Sequence, residues 1–206
     1  AVCKAELQRQ LGLAQEPDTP LMAIVSRLVG HKGIDLICES LDNIMRTGCQ
    51  LVLQGSGEEQ YESFFRELHD KYPDKVGLTL GFVPDLAHKI YAGADMFLMP
   101  SKSEPCGLSQ LIAMHYGTVP IVASTGGLRD TVLSYNKFTD EGNGFTFFNY
   151  NAHDMLHTVR RAVHYYQNNR EVWNRLARHD MECDFSWQVP ANEYMQLYSE
   201  LLYGKQ

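Results

Sequence analysis

Three side chains in this 206-residue chain combine the types and surroundings that ligand chemistry needs: Arg27, Lys32 and Glu104. Arg27 and Lys32 lie in Ser26-Arg27-Leu28-Val29-Gly30-His31-Lys32-Gly33, directly after the apolar run Leu21–Val25. A guanidinium offers a fork of donors to phosphate, an ammonium supplies a mobile point charge, and a helix start adds free N–H groups and a positive dipole end. The same composition suits a solvated turn with Gly33 giving backbone freedom, and no G-x-x-x-x-G-K-[ST] pattern decides between the two. Glu104 follows Met96–Met99 in Pro100-Ser101-Lys102-Ser103-Glu104-Pro105-Cys106-Gly107. Pro105 stiffens that turn and Gly107 lets backbone come close to a ligand, so the carboxylate is placed to accept hydrogen bonds from sugar hydroxyls. The alternative is an acid that only complements a helix dipole.

Two further turns repeat the theme. Gln54-Gly55-Ser56-Gly57-Glu58 begins like a dinucleotide fingerprint but lacks its third glycine, and a plain tight turn stays open. Ser124-Thr125-Gly126-Gly127-Leu128 makes a second opening for an anion beside the Glu104 turn. Tyr91, Tyr116 and Phe82 are candidates for a base pocket or for core, and Phe185 with Trp187 reads as packing. His153-Asp154-Met155-Leu156-His157 echoes a zinc-protease helix, but Asp stands where that motif has Glu and no third ligand follows, so no metal site is read there. The remaining helical histidines read as ordinary, and G-x-S-x-G is absent.

The elements that must carry these turns alternate regularly. Apolar runs at Leu21–Val25, Gln50–Gln54, Val76–Leu80, Met96–Met99, Val119–Val122 and Phe145–Phe148 have strand length, and helical faces fall between them, as at Ile34–Met45, Leu86–Tyr91 and Leu108–Tyr116. That pattern predicts an α/β fold, a doubly wound parallel sheet of about six strands. A short helix over residues 1–11 precedes it, ended by Gly12. From about residue 151 the chain reads as helices (Ala152–Gln167, Arg170–Asp180, Ala191–Leu202) that cover the sheet or its edge. The whole of 1–206 reads as a single domain and, beginning without Met, as a fragment.

Net charge −7 with no block of Lys or Arg argues against a partner in nucleic acid. No signal peptide and no long apolar stretch points to a membrane. Five scattered cysteines without C-x-x-C fit a reducing compartment.

Taken together, Ser26-Arg27-Leu28…Lys32-Gly33, Gly55-Ser56-Gly57, Ala94-Asp95…Pro100-Ser101…Glu104-Pro105-Cys106-Gly107-Leu108-Ser109-Gln110-Leu111, Thr125-Gly126-Gly127-Leu128 and Asp184-Phe185-Ser186-Trp187 resemble bacterial glycogen synthase and plant starch synthase. The resemblance spans nearly the whole chain and implies one half of a GT-B fold, a Rossmann-like donor domain whose N-terminal acceptor domain is absent. It further implies transfer of glucose from ADP-glucose to the non-reducing end of an α-1,4-glucan with retention, with ADP as product and neither cofactor nor metal. Arg27 and Lys32 would hold the diphosphate and Glu104 the glucose hydroxyls, with Gly33, Gly55, Gly57, Cys106, Gly107, Leu108, Ser109, Thr125, Gly126 and Gly127 around the substrate. Many relatives in the wider superfamily carry a second glutamate where this chain has Ile112, so ribose recognition must come from elsewhere. A bacterial cytoplasmic enzyme, or a plastid one if the source is a plant, is the implied setting. A related UDP-sugar transferase and a nucleotide-sugar-binding module without catalysis are the competing readings.

Overall fold

The computed structural model describes residues 2–204. Six strands form one parallel sheet: β1 Leu21–Val25, β2 Gln50–Gly55, β3 Val76–Leu80, β4 Met96–Met99, β5 Val119–Ala123 and β6 Phe145–Phe147. Their spatial order is β3-β2-β1-β4-β5-β6. The chain therefore winds outward from β1 in one direction and then, from β4, in the other, which is the doubly wound Rossmann-like arrangement expected from the alternation. The helices are α1 Val2–Gln10, α2 Ile34–Met45, α3 Glu59–Lys71, α4 Pro84–Gly93, α5 Ser109–His115, α6 Gly126–Thr131, α7 Ala152–Asn168, α8 Arg170–Glu182 and α9 Gln188–Tyr203.

The strands read as continuous apolar runs because both faces of the sheet are covered. Successive residues of β1 enter opposite cores. Met22 and Ile24 join Ile34, Leu41, Phe65, Val159 and Trp173 on the face covered by α2, α3, α7 and α8. Leu21 and Ala23 join Leu7, Ile90, Met114 and Leu128 beneath α1, α4, α5 and α6. Each of the larger aliphatic and aromatic side chains among them contributes about 1.5–3 kcal/mol on burial. At the amino edge, Lys4 reaches from α1 to Asp95 (2.6 Å), Tyr166 Oη (2.9 Å) and the carbonyls of Pro17 and Thr19, and Asp95 also accepts the Leu21 N–H. Asp95 is thus a structural tie on the far side of the sheet from the turns that follow β1 and β4.

Two expectations need correction. Helix α9 does not cover the sheet: its residues are exposed apart from Pro190 and Glu200, which are half-buried, and its apolar side chains have no counterpart among the described residues. Nor do Trp187 and Phe185 pack as core, for Trp187 is 79% and Phe185 38% exposed. Helices α7 and α8 do pack on the sheet; Asn151 caps α7 by accepting the Asp154 N–H, and the Ser40 hydroxyl on α2 donates to the Ala152 carbonyl.

Candidate functional site

The direction of winding reverses between β1 and β4, and crossovers on opposite faces leave a crevice beyond the carboxyl ends of those two strands. The loop Ser26–Gly33 forms one wall and the turn Pro100–Leu108 the other. Across it, Lys32 Nζ donates to Glu104 Oε2 at 2.5 Å, the two side chains being only 18% and 11% exposed. Ser101, fully buried, donates a second hydrogen bond of 3.1 Å to the same oxygen. Arg27 stands exposed at the mouth, Nη2 3.3 Å from His31 Nε2, and no described carboxylate pairs with it. The three charged residues singled out in the sequence are therefore gathered at one crevice.

Two cavities adjoin there, sharing Val25, Ser26, Arg27 and Ser109. The smaller, about 200 Å³, holds Lys32, Met99 and Pro100. The larger, about 390 Å³, is walled by Phe82, Ala87, Tyr91 and Ile112 and backed by Gln54. Gln54 is wholly buried; Nε2 donates to the Val83 carbonyl while Oε1 has no partner among the described residues. Phe82 and Tyr91 thus line the apolar cavity. Tyr116 does not: it borders a separate cavity of about 590 Å³ at the amino edge, with Lys4 and Asp95. Burial raises the Tyr91 phenol above its usual range, partly countered by its bond with Ser109.

The glycines position loops against one another. A Cβ on Gly33 would fall on the Pro100 carbonyl, on Gly55 on that of Ser26, on Gly57 on that of Leu28, on Gly126 on that of Glu104, and on Gly127 on that of Cys106. Gly126 and Gly107 also hold positive φ (46° and 79°), which only glycine adopts freely. Several of their N–H groups are engaged within the protein: Gly33 donates to Gly30, Gly57 to the Glu62 carboxylate and Gly127 to the Glu104 carbonyl, while Thr125 donates to Ala123. Among the described residues, those of Gly126, Cys106, Gly107 and Leu108 donate to no backbone group outside the helices.

Three contributors carried no separate assignment in the sequence. Ser101 orients Glu104. Gln110, wholly buried, clamps the turn from within α5, Nε2 donating to the Gly107 carbonyl (2.8 Å). Tyr150 ties the segment after β6 to the opposite wall, donating to Asp35 Oδ1 (2.8 Å) and lying 3.4 Å from the Gly30 carbonyl. Ser101 and Gln110 lie inside the quoted motif, a signal that marks the segment without separating their roles; Tyr150 had none. His153 and His157 lie exposed on α7, and among the described residues no cluster of three or more His, Cys, Asp or Glu is disposed to hold a metal.

A doubly wound sheet with two cations, one acid and an apolar cavity at its switch point is an arrangement able to receive an anionic ligand. The chain belongs to the family of glycosyl transferases group 1, whose profile matches residues 6–180. Within that family it is similar to glycogen synthases: that of Geobacillus thermodenitrificans is 52% identical over 97% of this chain, and that of Desulforamulus reducens 50% over 98%. It is also similar to the solved catalytic domain of starch synthase IV from Arabidopsis thaliana bound to ADP and acarbose, with 37% identity over 97% of this chain and a TM-score of 0.89. The chain spans about two fifths of each relative, 41%, 42% and 42% of their lengths.

Proposed function

We propose that this chain is the donor-binding domain of a glycogen or starch synthase that transfers glucose from ADP-glucose to the non-reducing end of an α-1,4-glucan with retention. The observation that carries it is the placement of Arg27, Lys32 and Glu104 around one crevice that opens into an apolar cavity. The named relatives support the reaction, and the ADP bound to the starch synthase supports the nucleotide.

In this reading the base enters the cavity of about 390 Å³ against Phe82 and Tyr91, with Gln54 behind it. The shared wall carries the diphosphate past Arg27 and Ser109 to Lys32, and glucose lies against Glu104 and the N–H groups of Cys106, Gly107 and Leu108. Gly33, Gly55, Gly57, Thr125 and Gly127 serve by holding the loops, and Gly126 lends its N–H. Ile112 gives an apolar wall. As the sugar–phosphate bond breaks, charge accumulates on the departing ADP, and the fixed cations stabilise it without reorganising. A companion GT-B domain supplies the acceptor surface. The bacterial glycogen synthases among the relatives support a cytoplasmic setting. Among the described residues no helix is long and apolar enough to cross a membrane.

Calorimetric titration with ADP, ADP-glucose and UDP tests this reading. Binding of both ADP compounds, weaker binding of UDP, and loss of binding in Arg27→Ala is the expected result. A folded chain that prefers UDP, or binds ADP unchanged after Arg27→Ala, would overturn it.

A further inference from the structure

A second concave surface lies away from the crevice, at the outer edge of the sheet. It is a groove of about 980 Å³ between α7 and the segment that leads into β6. Phe138 and Phe148 flank it, 87% and 79% exposed, large apolar rings that no core contact explains. The lining also holds exposed planar hydrogen-bonding groups, among them Asn136, Asn149 and His157. The groove has one carboxylate, Asp154, already engaged by Asn149 at 2.7 Å. Arg161 lies half-buried over the Phe145 ring; one guanidinium nitrogen donates to the Ser134 hydroxyl at 2.5 Å, and Nε is buried with no acceptor.

Exposed aromatic rings accompanied by amide and imidazole groups match the surface of a sugar ring, which has apolar C–H faces and an equatorial belt of hydroxyls. The cations do not select an anion instead: Lys137 lies over its neighbour Phe138, 5.0 Å from the ring centre, and Arg161 is turned inward. Position matters as well. Phe148 directly follows β6, and the Phe147 carbonyl accepts the N–H of Ser124, which leads into the turn packed on Glu104. The groove therefore opens on the same carboxyl edge as the crevice, two strand spacings or about 10 Å from the β4 turn.

We infer that the groove between Phe138 and Phe148 is a binding site for an α-1,4-glucan chain, distinct from the place where glucose is transferred. This rests on the proposed function insofar as the polymer is taken to be the acceptor. A site of this kind retains the polymer between encounters of its chain ends with the crevice, raising their effective concentration.

Electrophoresis of the full chain through native gels with and without glycogen, with maltoheptaose calorimetry alongside, tests the inference. Glycogen should retard the wild type. Phe138→Ala and Phe148→Ala should each weaken maltoheptaose binding between about twofold and tenfold, and the double variant more. Both side chains are exposed, so melting temperatures should stay within about 2 °C of wild type, and ADP affinity should not change. Unretarded wild type, full retardation of the double variant, equal binding of cellohexaose, or displacement of maltoheptaose by inorganic phosphate would each overturn the inference. Maltoheptaose binding that depends on the two rings in a chain that ignores ADP would uphold the groove and sink the donor-domain reading, so the two failures are separable.

Discussion

The ion pair between Lys32 and Glu104 leads to a counterintuitive expectation: Glu104→Gln, a change to the proposed sugar-binding acid, should tighten ADP binding. Donor binding has to draw Lys32 from the carboxylate toward phosphate. At about 4 Å between charge centres and an effective dielectric of about 20 the pair is worth about 4 kcal/mol. Both groups keep part of their hydration, and the phosphate replaces much of the interaction, leaving about 1.5–2 kcal/mol as the cost of separation. The neutral amide of the Glu104→Gln protein would still accept the Ser101 hydroxyl but hold Lys32 far less strongly. ADP should then bind about tenfold to thirtyfold tighter. ADP-glucose should gain less, because charged acceptance of its sugar hydroxyls, about 1.5–3 kcal/mol per bond, is lost. Calorimetry of both ligands on both proteins reads the effect directly. Unchanged or weaker ADP binding by a folded Glu104→Gln protein would refute the reasoning and mean that the pair persists in the complex.

Other consequences follow from the same geometry. Gly127→Ala places a methyl on the Cys106 carbonyl, and about 1–3 kcal/mol of strain should appear as a drop of several degrees in melting temperature, with weaker ADP-glucose binding. Phe82→Ala, at an exposed ring on the cavity rim, should weaken ADP binding about twofold to tenfold in calorimetry without lowering the melting temperature. Asp180 on α8 is wholly buried with neither carboxylate oxygen partnered among the described residues, and burial pushes its pKa from 3.8 up to about 9. Between those values the folded chain binds a proton that the unfolded chain releases, so this residue costs stability progressively as pH rises. Asp180→Asn should therefore gain in melting temperature over wild type as pH goes from about 5 to about 8. A difference that stays constant with pH would refute the assignment.

The sheet is legible in the sequence because a doubly covered parallel strand has to be apolar along its whole length, and five intervening segments have helical faces of matching polarity. The six runs fall where the six strands lie. The crevice is legible through residue types, since cations and an acid immediately after strands must appear at the carboxyl edge. Its internal geometry is not. Lys32 and Glu104 are 72 residues apart, and nothing local to either signals the partner. Glycines in such turns suggest room for a ligand, whereas the atoms a Cβ would strike belong to neighbouring loops, a relation fixed only by strand order. Helix α9 and Trp187 mislead for the opposite reason: apolar side chains suggest cover, which composition alone cannot place. Tyr116 groups with Tyr91 by type, but it lies at the other end of the sheet.

The glycine contacts make the three turns around the crevice parts of one arch. Gly33 rests on Pro100, Gly126 on Glu104 and Gly127 on Cys106, so each turn is the mould against which the next is cast. A change of donor preference is then hard to engineer one turn at a time. A graft of Pro100–Gly107 from a transferase of different donor taste has to carry its own counterparts of Ser26–Gly33 and Thr125–Gly127. The sheet beneath can stay as it is, because the turns grip one another by backbone and not by the side chains of the strands.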